Sequence, residues 1–400
     1  MMATSTTTRH RAPGIGPGLT LLFSVAAGAS VGNLYWAQPI LGNIASTFGV
    51  STGTAGLLVT LTQIGYALGV FLVVPLGDTA NRKRIIPTVM ILCALSLAGS
   101  ALAPNFAVLL VAFALVGATT VTGQLLIPLA SDLARADQRG RIVGTVSSGI
   151  MLGILLSRSI SGIVADLFGW RAVYAAAAII VLILAALMLR ALPDLAPRER
   201  MPYGRLLRSV LTAVTEHRPV RVLMLIGATT MSVFTAFWTG ITFLLSAAPF
   251  SYSVTQIGMV SLVGVLGAVV AQRTGPLSDR GWAGPAMGIG LAVTLVALIV
   301  SGLGSSSIIC IIIAASLFSV GMQSVQVLTQ TMMLSVDPAA RSRLNTALVV
   351  GNFVGGAIGS TLAAGLWQAG GWPMLMAGAG IITIAALAAW FLNRNGALSR

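Results

Sequence analysis

Charge is what this chain has least of. Only 8% of its 400 residues are charged, against 56% apolar, whereas a soluble globule carries about a quarter charged. Acidic residues are the scarcest: Asp78, Asp132, Asp137, Asp166, Asp194, Glu199, Glu216, Asp279 and Asp337, all between apolar runs or at their ends. No carboxylate therefore sits deep in an apolar run to hold a cation or carry a proton. The two histidines, His10 and His217, lie in the N-terminal tail and in a central linker, so no hydrolytic triad assembles inside the apolar runs. Cys93 and Cys310 each fall inside an apolar run with neither Cys nor His near in sequence. They read as small buried hydrophobes rather than a disulfide or a metal pair. There is no phosphate-cradling Gly-Lys-Ser/Thr loop, so ATP-driven chemistry, an enzyme activity and a bound cofactor are not expected. The longest stretch outside the apolar runs is Pro193–Pro219, too short for a soluble domain.

What the chain does have is about twelve apolar runs of roughly 19–27 residues, each long enough to cross a bilayer as a helix. They span 17–39, 54–76, 85–103, 106–130, 142–165, 170–192, 220–246, 255–277, 284–303, 307–331, 344–367 and 372–392. Every second gap is poor in basic residues: Leu41–Thr54, Ala103–Asn105, Asp166–Gly169, Ala247–Thr255, Gly304–Ser306 and Gln368–Gly371. The alternate gaps and the tails hold every Lys and Arg except Arg158 and Arg171. Basic residues in short loops stay cytoplasmic, which predicts twelve crossings with both termini inside. The net charge of +14 is then a set of loop charges facing an anionic leaflet, with no call for a nucleic-acid partner. The excess of Arg over the single Lys83, with abundant Ala and Gly, suggests a GC-rich bacterial genome and hence an inner membrane. The segment after Arg9 and Arg11 lacks a small-residue cleavage pattern and reads as a retained first helix.

The order of landmarks repeats. Leu76-Gly77-Asp78 matches Leu277-Ser278-Asp279, and Arg139-Gly140-Arg141 matches Arg341-Ser342-Arg343. Gly149 and Gly153 match Gly351 and Gly355, and Gly169-Trp170 matches Gly371-Trp372. A near-constant offset through four landmarks predicts two six-helix bundles in the same orientation, related by an axis along the membrane normal. The expected organisation is a tail 1–16, a first bundle 17–192, a cytoplasmic linker 193–219, a second bundle 220–392 and a tail 393–400. Within the linker, Arg205-Leu206-Leu207-Arg208-Ser209-Val210-Leu211 has the spacing of a short helix lying on the membrane surface.

These motifs resemble the major facilitator superfamily. That family's loop after its second helix reads Gly-x-Leu-Ala-Asp-Arg-x-Gly-Arg-Lys. Here Leu76, Asp78 and the cluster Arg82-Lys83-Arg84 are kept, and the second copy, Gly275-Pro276-Leu277-Ser278-Asp279-Arg280, keeps more. The resemblance implies a gating loop made by Asp78, Arg82, Asp279 and Arg280, with Asp132 as an ionic partner. The bland reading leaves the arginines as topology signals only. The fifth run, Gly149-Ile150-Met151-Leu152-Gly153 to Arg158, keeps the small-residue spacing of drug–proton antiporters but not their Pro and Gly pair. The Asn33–Pro39 and Ser161–Arg171 stretches are similar to bacterial drug and metabolite efflux members. The implied function is proton-coupled efflux of a small organic solute by a monomeric secondary transporter. Two alternatives stay open: a facilitator or importer of an organic anion anchored by Arg158, and a receptor or scaffold that transports nothing.

Arg158 is the one charge deep in a run. Burial there costs at least ~2.5 kcal/mol, so a wet cavity or a partner is required. It is either a substrate or coupling site, or a structural tie to Asp166 or to carbonyls. Polar and aromatic residues recur at helical spacing around it: Asn33, Tyr35, Trp36 and Gln38 in the first run, Gln63 and Tyr66 in the second, Thr120 and Gln124 in the fourth. Phe234 and Trp238 follow in the seventh run, and Gln323, Gln326 and Gln330 form one stripe in the tenth. By depth, Asn33, Arg158 and Trp238 are placed to line one chamber, whereas each amide taken alone reads as an interhelical hydrogen bond. One Arg, several amides and aromatic rings suit an anionic or neutral polar solute, with aromatic solutes included. Asp166, near the outer mouth, is the candidate for proton coupling.

Overall fold

The computed structural model describes residues 15–135, 138–194, 202–267, 269–270, 282–337, 340–396 and 398, apart from the side chain of Asp78. The described residues are helical with no strand. The expected gating residues Asp279 and Arg280 lie outside them. Among the described residues, nine helices are long and apolar enough to cross a membrane, ten if the first bent pair counts as one span. Leucines, isoleucines and valines such as Leu95, Leu102, Ile179, Ile183 and Leu303 are more than half exposed, an apolar girdle that suits lipid rather than water.

The first crossing is broken. Helix α1 (Pro17–Gly32) and helix α2 (Ala37–Phe48) meet at a 43° bend. Pro39 supplies the cause: it has no N–H to offer the Tyr35 carbonyl, which instead accepts from the Gln38 N–H at 3.3 Å. The chain stays helical to Phe48, so the expected gap Leu41–Thr54 shrinks to a turn before α3 (Thr52–Ala55) and α4 (Leu57–Leu72). The fourth run breaks likewise, into α7 (Phe106–Thr119) and α8 (Thr122–Leu133), with Pro128 one turn past Gln124. Between them lie α5 (Leu76–Thr79) and α6 (Arg82–Leu102). The chain continues through α9 (Arg139–Phe168), α10 (Trp170–Ala191), α11 (Tyr203–Glu216), α12 (Arg218–Ser246) and α13 (Val254–Val260). It ends with α14 (Ala283–Leu303), α15 (Ile308–Val336) and α16 (Arg341–Asn393).

Two findings separate this inventory from the twelve runs read in the sequence. At about 1.5 Å per residue, the 53 residues of α16 would reach some 80 Å, more than twice the ~30 Å hydrocarbon core. Its helical geometry fails at Gly370 and Gly371, the latter at φ 63°, so the eleventh and twelfth runs abut with no loop between them. The eighth run is described only to its middle.

Four apolar clusters hold the helices, and one of them packs Tyr66 and Val70 with Val349, Val350 and Phe353. One apolar cluster joins residues from Ile15 to Leu192, with Phe243 and Val254 added, and two others are built from residues between Ala213 and Leu398. In the first half α1 crosses α9 so closely that a Cβ on Gly153 would clash with the Gly28 carbonyl. In the second, Gly355 of α16 sits equally hard against the Ala228 carbonyl of α12. The linker helix α11 buries Leu206, Val210 and Ala213 and leaves Arg205 and Arg208 exposed. It is longer than the stretch expected from sequence, and the Tyr203 hydroxyl donates to the Leu72 carbonyl of the first half.

Candidate functional site

Arg158 projects from α9 into the seam between the two halves, 4% exposed. Its guanidinium carbon stands 4.8 Å from the ring centres of both Tyr35 and Trp238 and 5.7 Å from Phe234. Nε donates to Gln38 Oε1 at 2.7 Å, while Nη2 is buried with no partner. Tyr35 and Gln38 reach it because the α1–α2 break turns them inward. The Trp36 carbonyl freed by the break accepts from the Ser161 hydroxyl at 3.0 Å. Phe234 and Trp238 come from one face of α12, from the other half. No carboxylate pairs with Arg158 among the described residues, and the tie to Asp166 is not made.

Asp166 is occupied elsewhere. Its Oδ2 accepts from the Thr255 N–H at 2.8 Å, so a carboxylate of the first half faces the N-terminus of α13 in the second. Ser253 and Gln256 complete the same helix start as a capping box. Around it the backbones nearly touch: Ser159 donates to the Gly258 carbonyl at 3.0 Å, and a Cβ on Gly162 would fall 2.6 Å from the Val254 carbonyl. Further contacts join the halves on this side, where α2 ends and α13 begins. Gln368 donates to Ser51 Oγ at 3.3 Å, and Ser360 to the Gly56 carbonyl at 3.2 Å. Nearer the opposite side, which holds the start of α1 and the end of α16, Gln323 donates to Met151 Sδ across the halves at 3.4 Å and the Tyr203 hydroxyl ties the linker to the first half. The seam is thus fastened on the far side.

The other predicted residues divide. Asn33 is not in the chamber: its Nδ2 donates to Thr120 Oγ1 at 3.1 Å and its Oδ1 accepts from Trp36 Nε1 at 2.8 Å. Those bonds stitch the break in the first crossing to the break in the fourth, where Ser30 Oγ donates to the Thr120 carbonyl at 2.7 Å. Depth alone placed Asn33 with Arg158; the break turns it the other way. Tyr66 packs its ring 4.1 Å from that of Phe353 across the seam, and its hydroxyl accepts from Gln124 Nε2 at 3.2 Å. Gln63 is fully buried and neither its oxygen nor its nitrogen has a partner. In the tenth run Gln323 donates to Met151 Sδ at 3.4 Å, and Gln326 borders a cavity of only about 10 Å³ shared with Thr230, Phe234 and Asn352. Gln330 donates to Asn345 at 3.3 Å. Gln326 and Gln330 are exposed and Gln323 half-buried, so the stripe grows wetter toward the tail side. Arg82 Nη1 meets Asp132 Oδ2 at 2.7 Å and Nε donates to the Gly77 carbonyl at 2.6 Å. That pair ties α6 to α8 inside the first half.

Sequence reasoning missed Thr235 and Thr239, fully buried on α12 beside Trp238 with unpartnered hydroxyls, and the unpartnered Trp238 Nε1 itself. It also missed Gly356, whose Cβ would press against both Gln63 and Thr235. No group of three metal-ligating side chains occurs among the described residues.

Among known proteins, the chain is 37% identical over 94% of its length to an uncharacterized transporter, YgaY, of Escherichia coli O157:H7, covering 96% of that protein. It is 28% identical to a chloramphenicol resistance protein of Streptomyces lividans, over 70% of this chain and 75% of that one. A bacterial homolog of the human lysosomal transporter Spinster, solved in an inward-facing and occupied conformation, superposes with a TM-score of 0.77 at 16% identity. That match covers 95% of this chain and 97% of the other and shows a shared fold. The Major Facilitator Superfamily model matches residues 21–339, and with a buried arginine between two packed halves the chain belongs to that superfamily of transporters.

Proposed function

We propose that this transporter exports a small organic solute from a bacterial cell in exchange for protons, through twelve crossings with both tails in the cytoplasm. The observation that carries the reading is Arg158: a guanidinium enclosed between the halves by three aromatic rings, with one donor unspent and no carboxylate to neutralise it. The halves rock about this point, and the solute takes the place of the missing partner. Proton coupling belongs to Asp166. As a carboxylate it holds the far side shut through the α13 N-terminus; once protonated it loses the attraction to the helix dipole, and the far side opens. The Asp78 loop and the Arg82–Asp132 pair gate the tail side.

In proteoliposomes, substrate flux should follow an imposed pH gradient and fall at least tenfold in Arg158→Ala, a loss of about 1.4 kcal/mol in transition-state stabilisation. Flux indifferent to the gradient removes the proton exchange. An Arg158→Ala protein at full rate for every solute removes the central site.

A further inference from the structure

Resting on Arg158 as the transport site, we infer that the solute is an aromatic carboxylate with an uncharged hydrogen-bonding group at its other end. Buried polar atoms without partners cost about 1–3 kcal/mol each, and seven of the eleven among the described residues belong to Gln38, Gln63, Arg158 and the Thr235–Thr239 turn of α12. Gln38 Nε2, Arg158 Nη2 and Trp238 Nε1 lack partners around the guanidinium. Gln63 Nε2 and Oε1 and the hydroxyls of Thr235 and Thr239 lack them beside it. All seven atoms belong to side chains no more than 5% exposed. They stand where the halves meet, so a bound solute satisfies them together.

Donor and acceptor character separates the two ends. At the Arg158 end all three free atoms are donors: Gln38 Oε1 already accepts from Arg158 Nε, and the Tyr35 hydroxyl nearby can turn to donate. Donors alone, one of them cationic, match a group that only accepts: a carboxylate. At the Gln63 end the free atoms include an amide N–H pair, an amide oxygen and two hydroxyls, which match a neutral group that both donates and accepts. Gly356 keeps this end open, since its Cβ would lie 3.2 Å from Thr235 Oγ1 and 3.3 Å from Gln63 Oε1. The rings of Tyr35, Phe234 and Trp238 wall the Arg158 end, and such a wall suits a flat ring. A cationic solute would meet three donors and no free carboxylate.

The test uses purified full-length protein in detergent and a matched set of one-ring probes: 4-hydroxybenzoate, its methyl ester, benzoate and 4-hydroxybenzylamine. Binding is read by calorimetry and by thermal shift. 4-Hydroxybenzoate should bind at least tenfold tighter than the ester and the amine, and tighter than benzoate. Arg158→Gln should erase the preference for acid over ester while keeping that for hydroxyl. Gln63→Leu should do the reverse, and Gly356→Ala should resemble Gln63→Leu. No preference for the carboxylates, including binding of none of the four, overturns the solute class. The transport reading survives that result if proteoliposome flux of any other solute still depends on Arg158, and falls if it does not. A fold-intact Gln63→Leu protein that discriminates as the native one does overturns the second end.

Discussion

Arg158 carries an energetic burden that its surroundings only partly lift. Placing a guanidinium within the bilayer costs at least ~2.5 kcal/mol. Each aromatic face returns about 0.5–2 kcal/mol, and the bond to Gln38 about 1.5–3 kcal/mol as a charge-assisted hydrogen bond. The geometry is that of an arginine specifically: Nε is committed to Gln38 while the flat fork lies against rings. Lysine keeps the charge but neither the fork nor the second donor direction. Arg158→Lys is therefore expected to fold normally, with an unshifted melting temperature, yet to transport at least tenfold slower in proteoliposomes; a rate within twofold of native would reduce the residue to a bare charge. Arg158 was legible in the sequence because one charge inside an apolar run has no ordinary explanation. Thr235 and Thr239 were not, because a threonine inside a membrane helix usually satisfies its own hydroxyl. Thr294, Thr329 and Thr383 do so by donating to the carbonyl one turn back. Residue type cannot tell the two behaviours apart; only the helix face that meets the seam does.

The elements were legible where composition dictates them and illegible where a single residue redirects them. Apolar length gave the helices, and small-residue spacing in the fifth run anticipated the tight crossing of α1 and α9. The two breaks were not read: Pro39 marks the first, but a proline in a membrane helix is compatible with a kink, a break or neither, and Pro128 lies inside α8, past the second. Asn33 makes the interhelical bond that a lone amide in an apolar run suggests, to Thr120 across the helices. The crossing makes its own prediction. Gly153 and Gly28 are so close that a methyl group cannot enter without parting the helices. Gly153→Ala should destabilise the protein by about 1–3 kcal/mol through overpacking, seen as a lower melting temperature in detergent. Gly144→Ala on the same helix, where a Cβ meets nothing within 4 Å, should leave it unchanged or raise it. Equal melting temperatures for the two variants would mean that the α1–α9 approach is looser than described.

For the molecule as a whole, the asymmetry of the seam matters most. The bonds across the halves on the far side involve Asp166, Ser159, Gln368 and Ser360, and only one of these groups titrates. The elements packed around Asp166 offer it neutral partners: Thr255, Ser253 and Gln256 on α13. Arg171, the nearest cation in sequence, donates instead to the Ala103 carbonyl and lies over Trp170 and Phe48. In the proposed mechanism the far-side closure depends on the charge of one carboxylate facing one helix start. Such a contact is worth roughly 0.3–1 kcal/mol at an exposed site and up to about 2 when partly buried, enough to shift a nearly balanced two-state equilibrium severalfold. The sign follows from the charge: neutralising the carboxylate removes the attraction and favours the far-side-open state. A cross-linking pair reports this directly. With Cys93 and Cys310 replaced by serine, Ser51→Cys and Gln368→Cys place thiols at the two ends of a bond that joins the halves, for a short bifunctional thiol reagent to bridge. Cross-linking of this pair should be efficient at neutral pH. Adding Asp166→Asn should lower the yield severalfold at the same pH. A yield that stays high in the asparagine variant would show that the apolar and glycine contacts of the seam close it unaided, and the proton would then have to act elsewhere.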